Sequence, residues 1–99
     1  MTESLSQALL RLSDRGFGRH LAAAGGRLRD VASGELFDPE LLVIAEIVRF
    51  EGESDPDEQA VLFALRAPSG EALGTYTAVY GPTMPAGDVR VVERLAAKS

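Results

Sequence analysis

The chain has 99 residues, 45% hydrophobic and 25% charged, which is the balance of one globular domain over residues 1–99 and not of a disordered tail. It contains no cysteine, which excludes a disulfide framework, a cysteine zinc site and a thiol nucleophile. No segment has the apolar length of a membrane span or the pattern of a signal peptide, so we expect a cytoplasmic protein with no membrane partner.

The net charge of −5 has one local source. Five carboxylates lie between two apolar runs: Glu51, Glu53, Asp55, Asp57 and Glu58. The other acidic residues equal the Lys and Arg residues in number, and no basic cluster is interleaved with aromatic residues. Because nucleic-acid grooves need such a cluster, we expect no nucleic-acid partner.

Residues 4–15 have the periodicity of an amphipathic helix. The apolar positions recur at spacings of three and four: Leu5, Ala8, Leu9 and Leu12. Ser4 with Gln7 forms a capping-box pattern, and Gly16 can adopt the left-handed conformation that ends a helix. We interpret the apolar stripe as core, with a partner-binding face as the alternative.

Short elements are predicted next. Residues 17–24 and 28–31 indicate two short strands separated by the turn residues Gly25 and Gly26. Residues 38–40, Asp-Pro-Glu, place proline at the first position of a single helical turn.

Three longer strands come next along the chain. Residues 42–50, LVIAEIVRF, give the strongest strand pattern, and apolar residues on both faces favour a central strand. Residues 60–67 and 73–80 are separated by a short turn and form the next two strands. We therefore predict a three-stranded antiparallel meander.

The last element is predicted as a helix that begins after Asp88, a good N-cap. Four residues share one helical face: Val89, Val92, Leu95 and Ala96. The adjacent valines Val91 and Val92 leave a strand as the alternative. The predicted fold is two-layer α+β: an antiparallel sheet, made of the meander and one or two short strands, with the N- and C-terminal helices on one face.

The acidic segment between residues 51 and 58 has two interpretations. Closely spaced carboxylates suit calcium or magnesium, but the segment lacks the glycine and final glutamate of an EF-hand loop. Asp55 and Pro56 also suit a tight turn. We interpret the segment as a solvated loop and assign no metal or other cofactor.

Arg49 is unusual because it lies inside an otherwise apolar strand. Its guanidinium must reach solvent, pair with a carboxylate or bind an anion. Tyr76 and Tyr80 share a strand face, and hydroxyls that converged with Arg49 would form a polar pocket. The candidate ligand-binding residues are Arg49, Glu51, Asp55 and Tyr80.

No catalytic residue is predicted. His20 is the one histidine, and without a second histidine or a cysteine we interpret it as an exposed or packed side chain. The sequence has no Gly-x-Ser-x-Gly elbow, no complete dinucleotide fingerprint and no Walker motif.

One segment resembles a known group. From about Gly34 onward, FDPELLVIAEIVRFEGESDPDEQAVLFAL and the later AVYGP resemble a group of small bacterial proteins built around an RFEG-x-SDP-x-E signature. The resemblance covers roughly two-thirds of the chain, and members are sometimes labelled phosphoribosylpyrophosphate synthetase. The matching positions are Arg49, Phe50, Glu51, Gly52, Asp55, Pro56, Tyr80 and Gly81. The resemblance implies a shared fold and no activity, since the sequence contains no nucleotide or ribose-phosphate motif.

The sequence predicts a small binding module without catalytic activity. An open sheet edge would let it associate with a second copy or with another protein. The alternative is an anion- or divalent-metal-binding protein with weak enzymatic activity, using residues 51–58 with Arg49 and Tyr80.

Overall fold

The computed structural model describes residues 4–51, 59–80 and 84–98. Its elements are α1 (Leu5–Asp14), β1 (Arg19–Ala24), β2 (Arg27–Asp30), β3 (Leu36–Phe37), a 3-10 turn (Pro39–Leu41), β4 (Val43–Glu51), β5 (Gln59–Arg66), β6 (Ala72–Tyr80) and α2 (Ala86–Lys98). The predicted helices, strands and helical turn are confirmed with boundaries shifted by one to three residues. Strand β3 was not predicted, because two residues are too few to show alternation.

Helix α1 begins and ends as its sequence predicts. The Ser4 hydroxyl accepts a hydrogen bond from the Gln7 backbone at 3.1 Å, and the Gln7 amide accepts one from the Ser4 backbone at 2.8 Å. Gly16 has φ +102°, a conformation that other residues rarely adopt. Ala8 and Leu12 are fully buried, which confirms that the apolar stripe faces the core.

The six strands form one mixed sheet in the order β3-β2-β1-β6-β5-β4. Strands β4, β5 and β6 are the predicted antiparallel meander. Strand β1, however, runs parallel to β6, so the prediction of an antiparallel sheet is correct only in part. A parallel pair joins strands that are distant in sequence and leaves no short-range turn pattern to detect.

Strand β4 lies at the sheet edge, so its prediction as a central strand is wrong. Val48 and Phe50 pack beneath α1, whereas Val43 and Ile47 are 43% and 48% exposed. A register shift between Ile44 and Glu46 changes the alternation of the two faces. The apolar composition of β4 therefore comes from packing on its two faces. It does not mean that a strand pairs with each of its two edges.

The two helices cover opposite faces of the sheet, so the prediction that both lie on one face is wrong. Ala8 and Leu12 of α1 pack with Leu62 and Ala64 of β5. Val91 and Leu95 of α2 pack with the alternate β5 residues Val61, Phe63 and Leu65. Because successive strand residues point to opposite faces, β5 has an α1-side face and an α2-side face, both buried.

Helix α2 differs from its prediction in register. It begins at Ala86, which puts Asp88 in the first turn and not at the N-cap. Val91 and Leu95, four residues apart, are the buried pair, while Val92 is only partly buried. The predicted stripe was rotated by about one residue because the adjacent apolar pairs Val91–Val92 and Leu95–Ala96 allow more than one helical face.

Candidate functional site

The predicted ligand-binding residues do not form a described pocket. Arg49 is exposed on β4 and makes no hydrogen bond or ion pair within the part of the chain that the structure describes. Glu51 of β4 and Tyr80 of β6 both pair with Gln59 of β5, so their backbones are neighbours across the sheet. Their side chains are not among those that the structure describes. Asp55 lies outside the described residues, so this site stays a prediction.

The mid-strand carboxylate Glu46 belongs to a structural ion-pair cluster. Arg11 of α1 donates to Glu46 at 2.7 Å, and Arg15 donates at 3.3 Å. The Arg11 hydrogen bond, with further help from Arg15, holds the pKa of Glu46 below its ordinary value. The arginines that pair with Glu46 therefore come from α1 and its C-cap and not from β4, where Arg49 lies.

The hydroxyl of Tyr76 does not converge with Arg49, as the sequence had suggested it could. The Tyr76 side chain is 1% exposed, stacks on Phe63 with ring centroids 6.0 Å apart, and donates its hydroxyl to Asp88 at 2.6 Å. Asp88 belongs to α2, so the hydrogen bond joins the sheet to the first turn of that helix.

A metal site is not formed by the described residues. Within residues 4–51, 59–80 and 84–98, no three His, Asp or Glu side chains come close enough to hold an ion. The acidic segment joins two adjacent antiparallel strands, as predicted, but residues 52–58 lie outside the description.

A different site lies where β1 and β6 separate. The two strands pair over three residues: Arg19 with Gly74, His20 with Thr75 and Leu21 with Tyr76. Beyond Leu21, β1 continues along β2, while β6 continues along β5. Their facing backbone groups lose their strand partners at this point, and such groups need another donor or acceptor. We call this opening the β1–β6 cleft.

Gly74 sets how closely the two strands approach below the cleft. A Cβ atom at Gly74 would overlap the carbonyl oxygen and the Cβ of Arg19. Glycine therefore lets β1 pair with β6 at the base, and the strands diverge above it.

The β1–β6 cleft contains a cavity of about 290 Å³, close to the lower limit for small-molecule sites. The cavity reaches both faces of the sheet, since its lining includes Leu9 of α1 and Asp88 of α2. The other described lining residues belong to β1 and β6: His20, Leu21, Ala22, Ala23, Thr75, Tyr76 and Thr77. The cavity lies along the two strands just after their last parallel pair, since Ala22, Ala23 and Thr77 of its lining follow Leu21 and Tyr76.

Three polar side chains meet on the α1-side face of this cleft. His20 and Thr75 are direct neighbours across the strand pair, and Thr77 lies two residues farther along β6. None of these three side chains makes a hydrogen bond or ion pair to a described residue. The cleft therefore offers polar groups that a bound molecule can satisfy.

Thr75 is the most enclosed of the three, with only 3% of its surface exposed. Among the described residues, no side-chain oxygen or nitrogen is sealed from solvent without a partner. The Thr75 hydroxyl makes no hydrogen bond to a described residue, so its oxygen is not sealed from solvent. Part of the 3% exposed surface of Thr75 therefore belongs to the hydroxyl oxygen. Thr75 is also one of the residues that line the cavity.

Comparison with protein-family models, curated proteins and solved structures finds no match for this chain. The resemblance through the RFEG-x-SDP-x-E signature therefore stays a prediction. None of the helices in the described ranges is both long and apolar enough to cross a bilayer.

Sequence reasoning identified His20 as exposed or packed and did not identify Thr75 or Thr77. Threonine is common in strands, so the segment Thr-Tyr-Thr is typical of ordinary strand sequence. The signal that could have found the site was Gly74, because a glycine inside a strand often marks a close backbone approach. Its partner strand could not be named without the fold.

Proposed function

We propose that the protein is a non-catalytic binding module that holds a small polar ligand in the β1–β6 cleft. The observation that carries this proposal is Thr75, a residue only 3% exposed that lines the cavity and whose hydroxyl makes no hydrogen bond to a described residue. A hydrogen bond to such a group contributes about 0.5–1.5 kcal/mol. His20 and Thr77 add two further contacts beside it.

Binding is better supported than catalysis. Activation of a nucleophile requires a base in hydrogen-bond contact with it. Within the described residues, the His20 side chain makes no hydrogen bond to a hydroxyl or a carboxylate. The cleft therefore supplies contacts without an activated group.

Titration of the ¹⁵N-labelled protein with a panel of small polar metabolites tests the proposal. We expect at least one compound to shift the amide signals of His20, Ala22, Thr75 and Thr77 together. Thr75→Val, which replaces the hydroxyl with a methyl group of similar size, should weaken that compound by about tenfold, the equivalent of one lost hydrogen bond.

Ser13→Ala provides the matched control, since it removes an exposed hydroxyl from α1 outside the cavity lining. It should leave binding unchanged. A panel that shifts no cleft signal, or binding that survives Thr75→Val intact, would overturn the proposal.

Self-association through β4 is a second candidate function. This nine-residue strand lies at the sheet edge and exposes Val43 and Ile47. An edge strand presents unpaired backbone groups to which a second copy can add its own β4. Light scattering at high micromolar concentration should then report a dimer that Ile47→Lys dissociates, whereas Leu10→Lys, at an exposed leucine of α1, should not. A monomer at that concentration would exclude this function.

A further inference from the structure

Asp88 gives the β1–β6 cleft a charge preference, which deepens the proposed function and rests on it. Among the described residues that line the cavity, Asp88 is the one acidic residue, and there is no lysine or arginine. An anionic ligand would meet a carboxylate with no guanidinium or ammonium group in that lining. A ligand with a positive charge would gain an ion pair.

The Asp88 carboxylate is held in place from the core. Its Oδ1 atom accepts the hydrogen bond from the buried Tyr76 hydroxyl at 2.6 Å, while its Oδ2 atom has no hydrogen bond to a described residue. Asp88 also lies in the first turn of α2, where the helix dipole favours negative charge. One oxygen is thus fixed by the protein and the other can accept from a ligand.

The remaining lining limits the body of the ligand. Apolar surface comes from α1 and β1, through Leu9, Leu21, Ala22 and Ala23. Thr75 and His20 supply hydrogen-bonding groups for a hydroxyl or carbonyl of the ligand. The enclosed Thr75 hydroxyl, which has no hydrogen bond to a described residue, supports a bound ligand independently of the Asp88 charge. The net charge of −5 additionally favours the approach of cations.

We infer that the β1–β6 cleft binds small aliphatic amines that carry a second polar group. The ammonium group donates to Asp88 on the α2 side, the short carbon chain lies in the opening between β1 and β6 and contacts Leu9 and Ala22, and the second polar group contacts Thr75 and His20 on the α1 side. Neutral and anionic compounds of the same shape are selected against.

Three matched probes test the inference on the full chain: 4-aminobutan-1-ol, butane-1,4-diol and 4-hydroxybutyrate. They share a four-carbon body and a hydroxyl, and they differ in the charge of the other end. We expect the amine to shift the cleft amides and to bind at least about tenfold more tightly than the diol, with the hydroxy acid weaker still, since a charged hydrogen bond exceeds a neutral one by about that factor.

Asp88→Asn removes the charge while its amide oxygen can still accept from Tyr76. This variant should lose about tenfold in affinity for the amine and should no longer prefer the amine over the diol, with an unchanged amide spectrum away from the cleft. Asp14→Asn makes the same chemical change at the C-terminal end of α1, outside the cavity lining, and should have no effect.

The outcomes separate the ligand class from the proposed function. Equal binding of diol and amine, stronger binding of the hydroxy acid, or an amine affinity that survives Asp88→Asn would overturn the inference and leave cleft binding intact. Cleft shifts caused by other metabolites while all three probes are silent would do the same. Silence from the probes and from the whole metabolite panel would overturn both.

Discussion

Strand β6 has a different kind of neighbour on each side. Toward β5 it forms an antiparallel ladder from Gln59–Tyr80 to Arg66–Ala72, with buried side chains on both faces. Toward β1 it pairs in parallel over three residues and then separates from it. The long ladder supplies the core, whereas beside the short one His20, Thr75 and Thr77 have no hydrogen bond to a described residue. The sheet is therefore open beside its short parallel pair.

The two sides of β6 also differ in what covers them. On the α1-side face, α1 packs over Leu62 and Ala64 of β5, whereas His20 of β1 on that same face is exposed. On the α2-side face, α2 packs with Leu28 of β2 as well as with β5. The β1 side of the sheet is thus covered by α2 and open beside α1.

Gly74→Ala is the strongest test of the β1 side. The added Cβ would overlap Arg19, so β1 must move away from β6. We expect a loss of at least about 2 kcal/mol in the free energy of unfolding, as for other overpacked sites, measured by urea denaturation. Gly87→Ala is the matched control, because nothing lies within 4 Å of its added Cβ and alanine favours helix. Equal stability of Gly74→Ala and the parent protein would contradict the close approach.

Tyr76→Phe should have the next largest effect. It removes the hydroxyl that joins β6 to α2 through Asp88 and keeps the ring that stacks on Phe63. We expect a loss of about 1–2 kcal/mol in the free energy of unfolding, since one charge-assisted hydrogen bond is lost. A double-mutant cycle with Asp88→Ala should show that the two losses are not additive. Additive losses would mean that the hydrogen bond does not stabilise the fold.

The smallest effect concerns pH and Asp30, a buried carboxylate of β2. Hydrogen bonds from the backbone of Ala32 first, and then from Arg19 and Ser33, hold the pKa of Asp30 below its ordinary value of 3.8. A lowered pKa in the folded state means that ionised Asp30 contributes stability above pH 3.8 and that this contribution is lost as the pH falls through the lowered value.

We therefore expect Asp30→Asn to be less stable than the parent protein at neutral pH, with the difference shrinking as the pH falls below 3.8. Thermal unfolding of both proteins across this range measures it. A stability difference that stays constant down to the acid end would show that ionised Asp30 does not stabilise the β1 side.

The fold could be predicted from sequence where interactions are local. The Ser4–Gln7 capping box fixed the start of α1, and turns between consecutive strands identified the meander. The unbroken apolar run of β5, Ala60 to Leu65, also carried the information that both faces are covered, which our prediction of one helical layer did not use. The pairing of β1 with β6 could not be predicted, since the pairing of distant strands leaves no local pattern.

The candidate site was predictable to a smaller extent. Arg49 and the acidic segment attracted attention because charge is conspicuous in a sequence, yet Arg49 is exposed on an edge strand. Thr75 matters because it is enclosed beside His20 without a described partner, and burial and partnership are properties of the folded chain. A small polar residue in a strand carries no mark that distinguishes an enclosed position from an ordinary one.

The position of β1 has a consequence for synthesis on the ribosome. Strand β6, which pairs in parallel with β1, begins only at Ala72. Helix α1 and strands β1–β3 therefore emerge from the ribosome long before the strand that joins them to the rest of the sheet. Closing so long a loop carries an entropic cost that local hairpins avoid, and it slows folding. The nascent chain can assemble its hairpins early, but the six-stranded sheet can be completed only after the last strand has left the exit tunnel.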